Sequence, residues 1–349
     1  MAVNLNRKLK VLIVDHAPIL GGVEAMIADL VGAVDRGKFA LTVATDTASR
    51  VEFRDVAVRR LPMPRVRENW AAMITAGLRL AAMARNADVM MTTTARTHAI
   101  GAVAARVSGV PLVWRLADDT FPMPLAVALS PIPKRIVAVS SFIAGRCSPS
   151  PAKTIIIPDG LPDTQPQTKL ALSTGKPVAV MIARLVRWKG HAVFARAVKL
   201  ANVAGVIVGG EDESEGELGG KGLKTELAAI NGEIQFLGQR SDVREILAAS
   251  DLFVHASTRP EPFGRIVVQA MLAGVPVIAT RAGAIPEVVG QAGLLVPAGD
   301  VESLAEALKM DAAARARLGR EGRERALARF ELGAMTRRLE RVWQNVARV

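Results

Sequence analysis

The chain has 349 residues, half of them hydrophobic, a formal net charge of +12, one cysteine and no tyrosine. That length suits two domains of roughly 150–180 residues, and the lone Cys147 excludes an intramolecular disulfide framework and suits a reducing compartment. The positive excess is spread out, with no dense basic run, aromatic stacking platform, zinc spacing or basic helix, so anionic ligands or an anionic membrane surface fit better than nucleic acid.

In chain order, residues 1–10 are polar and basic, and the apolar run that follows is too short for a secretory signal. No stretch of about 18 apolar residues reads as a membrane span. The expectation is a cytoplasmic protein, at most peripheral on the inner face of a membrane. Strands are expected at 11–15, 40–45, 89–93, 111–114 and 136–139, and helices at 22–34, 69–85 and 97–107. Apolar runs without alternation suit a parallel sheet covered on both faces. A Pro- and Gly-rich polar stretch then breaks the pattern, and 166–177 reads as a linker. The rhythm restarts with strands at 178–182, 206–208, 234–237, 252–255, 275–279 and 294–296, and helices at 191–200, 223–230, 243–249 and after Gly264. The Arg- and Ala-rich tail from Asp311 reads as helical. The expected organisation is an N-terminal domain at 1–165, the linker, a C-terminal domain at 178–330 and a terminal helix at 331–349 that either closes the second domain or packs back on the first. Two βα runs on either side of a linker predict two doubly wound domains, with ligands at the carboxyl ends of the strands.

Several positions carry chemistry. Gly21 and Gly22, before the first helix, let backbone amides approach an anion, although taken alone a tight turn explains them better. Arg184 and Lys189 lie on a loop at the edge of the second domain's first strand, where two cations can neutralise a pyrophosphate; a solvated basic loop is the alternative. The acidic run Glu211-Asp212-Glu213-Ser214-Glu215-Gly216-Glu217 follows Gly209 and Gly210 and reads as a flexible turn rather than a metal site. The four histidines show no metal-ligand spacing. His98, near the start of a helix, is a capping or packing residue or an acceptor-side group. Residues 69–85, rich in Trp, Met, Ile and Leu, form either a core helix or one that touches a membrane or acceptor. Glu261 stands in a Pro/Gly loop just ahead of a helix, well placed to hold a polar ligand whose phosphates sit on the helix dipole.

Glu261-Pro262-Phe263-Gly264, the following helix, Ala273-Gly274-Val275-Pro276-Val277 and Gly283-Ala284-Ile285-Pro286-Glu287-Val288-Val289 together resemble the donor-binding signature of family-4 retaining glycosyltransferases. Leu294-Leu295-Val296-Pro297-Ala298-Gly299-Asp300, Phe236-Leu237-Gly238 and Ser250-Asp251-Leu252-Phe253-Val254 continue it. The match is ordered over 178–300 and looser over 1–160. The resemblance implies an α/β fold of two Rossmann-like domains facing each other across a cleft (GT-B). It also implies a nucleotide-diphosphate sugar donor, a glycan or lipid-linked acceptor, and a reaction without metal or cofactor. Glu261 matches the first acid of the family's Glu-x7-Glu motif, which faces the donor sugar, and Arg184 and Lys189 match the pair on the pyrophosphate. Gly21, Gly22, Gly209, Leu237, Phe263, Gly264, Arg265, Ile266 and Gln269 fall at donor-binding positions; His98 and Asp118 are acceptor-side candidates. Gln269 stands where the motif's second acid is usual, and Ala117 where a histidine is common. Hexosyl transfer in cell-envelope polysaccharide or lipopolysaccharide synthesis is the expectation. A nucleotide-sugar epimerase of the same fold, or a non-catalytic partner subunit that keeps donor binding, are the alternatives.

Overall fold

The computed structural model describes residues 7–16, 21–64, 69–164, 166, 172, 175–215 and 219–347. Most of the expected linker, together with Leu20 and with Gly216 and Glu217 of the acidic run, lies outside them. The chain divides into two units, one of Met1–Pro162 with Leu332–Val349 and one of Asp163–Glu331.

The first unit holds strands β1 (Leu9–Val14), β2 (Phe39–Asp46), β3 (Ala57–Leu61), β4 (Val89–Thr92), β5 (Leu112–Leu116), β6 (Arg135–Ala138) and β7 (Thr154–Ile156), with helices α1 (Gly22–Ala33), α2 (Trp70–Ala84), α3 (Ala95–Ser108), α4 (Met123–Leu129) and α5 (Ser141–Cys147). All pairings are parallel, in the order β3-β2-β1-β4-β5-β6-β7. Successive side chains of a strand point to opposite faces. Val11 and Ile13 of β1 therefore join Ile27, Leu30 and Val31 of α1 in one core. Leu12 and Val14 join Leu80 and Ala84 of α2 and Ile100 and Ala104 of α3 in the other. Both faces are covered, which is why these strands read as unbroken apolar runs.

The second unit holds β8 (Val178–Ile182), β9 (Ala204–Val208), β10 (Gln235–Phe236), β11 (Leu252–His255), β12 (Val277–Thr280) and β13 (Leu294–Val296), with α6 (His191–Ala201), α7 (Leu223–Ile230), α8 (Val243–Ala248), α9 (Arg265–Leu272), α10 (Ile285–Val289), α11 (Val301–Leu308) and α12 (Ala312–Arg329). Its sheet is parallel too, in the order β10-β9-β8-β11-β12-β13. Strand order reverses between β8 and β11, and in such sheets ligands bind outside the carboxyl ends of the strands at that switch point.

The tail holds two helices: α12 ends at Arg329, and α13 (Leu332–Ala347) begins three residues later. α13 belongs to the first unit. Its Met335, Leu339, Val342, Trp343 and Val346 form one stripe at helical spacing and enter the core beside α1. Trp343 meets Phe39 edge-on at 5.8 Å between ring centroids. Nearby, Arg115 of β5 has no exposed surface and is ion-paired with buried Asp159. Breaking such a pair would strand a buried charge. Trp343→Ala should lower the first unit's unfolding free energy by about 3–5 kcal/mol, read from the midpoint of its urea transition.

Candidate functional site

At the switch point of the second sheet, backbone approach comes first. After β8 the chain makes a single 3-10 turn, Arg187–Lys189, and reaches Gly190 at φ +80°. A Cβ on Gly190 would lie 1.8 Å from the carbonyl oxygen of Ala256, just after β11. Only glycine permits both the left-handed conformation and this closeness. The Trp188 carbonyl accepts from the Thr258 amide at 2.8 Å and from its hydroxyl at 3.1 Å. The two loops are thereby stitched together, and Lys189 is carried up to Glu261.

Glu261 is buried and lies in the loop before α9. An isolated bridge to Gly283 holds its backbone, with Ala284 N–H donating to the Glu261 carbonyl at 2.8 Å. Its Oε1 accepts from Lys189 Nζ and, at 2.9 Å, from Ser257 Oγ. His255 Nε2 lies 3.3 Å from the same oxygen. Burial by itself would raise the Glu261 carboxyl, but the hydrogen bond from His255 and the charge of Lys189 outweigh it and hold the carboxyl at about 2. The side chain is thus a fixed anion. Lys189 also lies over the Trp188 ring, 4.1 Å from its centroid. Gly264 at φ +91° starts α9, so first-turn amides point outward beside the carboxylate.

Arg184 is exposed and ion-paired with Asp212 at 3.3 Å. The acidic run is occupied by cations, with Glu211 on Lys224 at 3.0 Å and Glu215 on Lys221 at 2.5 Å. Among the described residues no group of three or more His, Cys, Asp or Glu could hold a metal ion. A Cβ on Gly209 would meet the Ala183 carbonyl at 1.9 Å, so its role here is close strand-end packing. Leu237 is half-buried, its amide donating to Ile207 O at 2.9 Å. Arg265, Ile266 and Gln269 are partly exposed along α9. The Phe263 ring is buried edge-on against Phe330 at 5.6 Å, so only its backbone is open to a ligand.

The remaining candidates belong to the first unit. Gly21 and Gly22 are exposed at the start of α1, where the Gly21 amide donates to Glu24 Oε2 at 2.8 Å. His98 takes up the packing role, one of the two readings its position allowed. It has no exposed surface, stacks on Trp114 at 3.9 Å, and burial pushes it down to about 3, so it is a neutral packing group. Asp118 is half-buried and turns back on its own loop, accepting from Thr120 N at 3.0 Å and Thr120 Oγ1 at 2.7 Å.

His255, Ser257 and Thr280 were not singled out from sequence. Their signal is positional: polar residues at or just past the ends of wholly apolar strands. Asp15 and Glu24 are likewise buried at the carboxyl edge of the first sheet, where Thr93 Oγ1 donates to Asp15 Oδ1 at 2.9 Å.

Residues 176–310 match the family model described as glycosyl transferases group 1. This segment is similar to the group 1 glycosyltransferases. The chain is 32% identical over 177 residues, 49% of its length and 50% of the relative's, to the lipopolysaccharide core biosynthesis glycosyltransferase LpsE of Rhizobium meliloti. It is 33% identical over 149 residues, 41% of its length and 38% of the relative's, to the phosphatidyl-myo-inositol mannosyltransferase of Mycobacterium leprae. The chain thus spans about half or less of the length of these curated relatives. Among solved structures, Anabaena HepE in complex with UDP and glucose superposes with a TM-score of 0.82 at 23% identity, over 97% of this chain and 100% of that one. At that identity the likeness establishes the fold, the α/β GT-B class. Within the matched segment lie Lys189, His255, Ser257, Glu261 and α9.

The buried pair in the first unit gives a pH test. Burial, then the Asp15 charge, push the Glu24 carboxyl from 4.5 up to about 7. A raised folded value means that the stability it contributes is full below about pH 4.5 and is lost as pH rises through about 7. Glu24→Gln should therefore gain on the unaltered chain between pH 4.5 and 8, by up to about 3 kcal/mol. Paired urea titrations at the two pH values would read the difference, and a pH-independent difference would refute the assignment.

Proposed function

We propose that the chain is a retaining, metal-independent glycosyltransferase that moves a hexosyl group from a nucleotide-diphosphate sugar to an acceptor hydroxyl. One observation carries this reading: a permanently ionised Glu261, paired with Lys189, stands at a sheet switch point beside the amino end of α9, in a segment similar to the group 1 glycosyltransferases. Cations and helix amides there suit a diphosphate, and a carboxylate suits sugar hydroxyls. HepE is described in complex with UDP-glucose, which supports a nucleotide-sugar donor.

In this reading the bond between the anomeric carbon and the diphosphate oxygen breaks while the acceptor oxygen bonds to the same face. The departing diphosphate takes the acceptor's proton. Lys189, Arg184 and the α9 amides stabilise the charge that grows on it, and Glu261 fixes the sugar. Lys189 is ion-paired with Glu261 and Arg184 with Asp212. A bound diphosphate would therefore share each cation with its carboxylate partner. The LpsE and mannosyltransferase relatives favour a cell-envelope polysaccharide or glycolipid acceptor. Gln269 favours a second reading, a donor-binding subunit without activity, because an amide holds ribose hydroxyls with one acceptor where a carboxylate offers two.

We also propose peripheral contact with an anionic membrane through α2. Trp70, Ile74 and Leu78, at helical spacing, are 69%, 36% and 50% exposed, and the helix carries no acidic residue. Among the described residues no helix is long and apolar enough to cross a membrane.

A bound nucleotide sugar should raise the melting temperature as ln(1 + [L]/Kd). Lys189→Ala and Glu261→Ala should each cut donor turnover at least about 100-fold while the fold persists; near-normal turnover in either would sink the site. Gln269→Glu should keep or raise turnover in a working transferase, whereas an inactive subunit would show none before or after. Trp70→Ser with Leu78→Ser should abolish co-sedimentation with phosphatidylglycerol vesicles, and unchanged binding would refute the α2 contact.

A further inference from the structure

We infer that His255 and Ser257 are positioning residues for Glu261, fixing its carboxylate so that protein donors saturate Oε1 and Oε2 is left to accept from a hydroxyl of the donor sugar; this rests on the donor reading of the same site. The argument is an inventory of protons. Lys189 Nζ, Ser257 Oγ and His255 Nε2 all converge on Oε1. Among the described residues no hydrogen bond reaches Oε2.

A carboxylate ion only accepts, so Ser257 donates its single hydroxyl proton to Oε1. Ser257 Oγ and His255 Nε2 are also 3.2 Å apart. Since the serine proton is already committed, the proton between them belongs to Nε2. His255 therefore carries hydrogen on Nε2 and shares it between Ser257 Oγ and Glu261 Oε1.

Thr280 anchors the pair. Its hydroxyl donates to the Ser257 carbonyl at 2.9 Å and lies 3.5 Å from His255 Nδ1. His255 ends β11, Thr280 ends β12, and Lys189 arrives from the β8 loop. Three strand ends thus hold one carboxylate rotamer.

A carboxylate is two-fold symmetric and turns easily about its last torsion. Three donors on one oxygen remove that symmetry. The other oxygen then has one fixed direction, which a sugar hydroxyl can read and a bare nucleoside diphosphate cannot. Removing a donor should loosen sugar recognition while leaving the diphosphate contacts of the α9 amides alone.

The test compares the unaltered chain with Ser257→Ala, His255→Leu, His255→Gln and His255→Asn. Nucleoside diphosphates and their hexose conjugates are titrated by calorimetry, and acceptor-free release of nucleoside diphosphate from the conjugate is followed. A glutamine amide can place N–H near the Nε2 position and an asparagine amide cannot. Ser257→Ala and His255→Leu should each lower kcat for release about ten-fold, with nucleoside diphosphate affinity within two-fold or so of the unaltered chain. His255→Gln should restore most of the loss, and His255→Asn should not. Melting curves establish that each variant folds, and rescue by glutamine keeps the test valid if His255→Leu does not.

Unchanged release in Ser257→Ala and His255→Asn, or a parallel fall in nucleoside diphosphate affinity, would overturn the inference alone. If the unaltered chain binds no nucleotide sugar at all, the donor reading falls, and the inference with it.

Discussion

One buried carboxylate sets the terms for the second unit. Glu261 stays ionised because a histidine and a lysine reach it from the ends of β11 and β8, with Ser257 donating beside them. For them to arrive, the β8 loop must pass close to the backbone after β11, which requires Gly190. Gly283 must likewise lie against the backbone of Glu261 itself, where a Cβ would fall 2.4 Å from its amide nitrogen. The glycines around this point keep the loops close enough for a charge to be held in a place that would otherwise neutralise it.

The two units share a construction but use it differently. Both sheets gather polar groups at their carboxyl edges, where strand order reverses. In the second unit the carboxylate there meets a lysine. In the first, Asp15 and Glu24 lie near each other, and Glu24 takes up a proton far above its ordinary range. One edge is built around a fixed anion, the other around a pair that holds a proton near neutrality.

Much of the fold was legible because fully buried parallel strands are written as apolar runs. β8, β11 and β13 fall where the sequence puts them. β3 and β7 were not read, and both are sheet edges. An edge strand is covered less completely and tolerates residues such as Arg59 and Arg60, which blur the apolar signal. Glu261 and Lys189 were legible from a loop beside a helix. Their helpers were not: His255, Ser257 and Thr280 are ordinary residues until the sheet brings strand ends together. His98 left a packing and an acceptor-side reading open, because nothing local tells that Trp114 is stacked upon it. The partnership of Arg115 with Asp159, 44 residues apart, has no local signature at all.

The return of α13 to the first unit also bears on how the chain is made. The second unit is, in topology, an insertion between the seventh strand of the first unit and the helix that completes its core. On a ribosome, residues 163–331 emerge as one uninterrupted stretch and can close their own core at once. The face of the first sheet beneath Trp343 stays uncovered until those residues have been synthesised. Loop closure over such a separation is slow, and the exposed face is prone to association in the meantime. The unit that holds β1 cannot complete its core until the other has been synthesised.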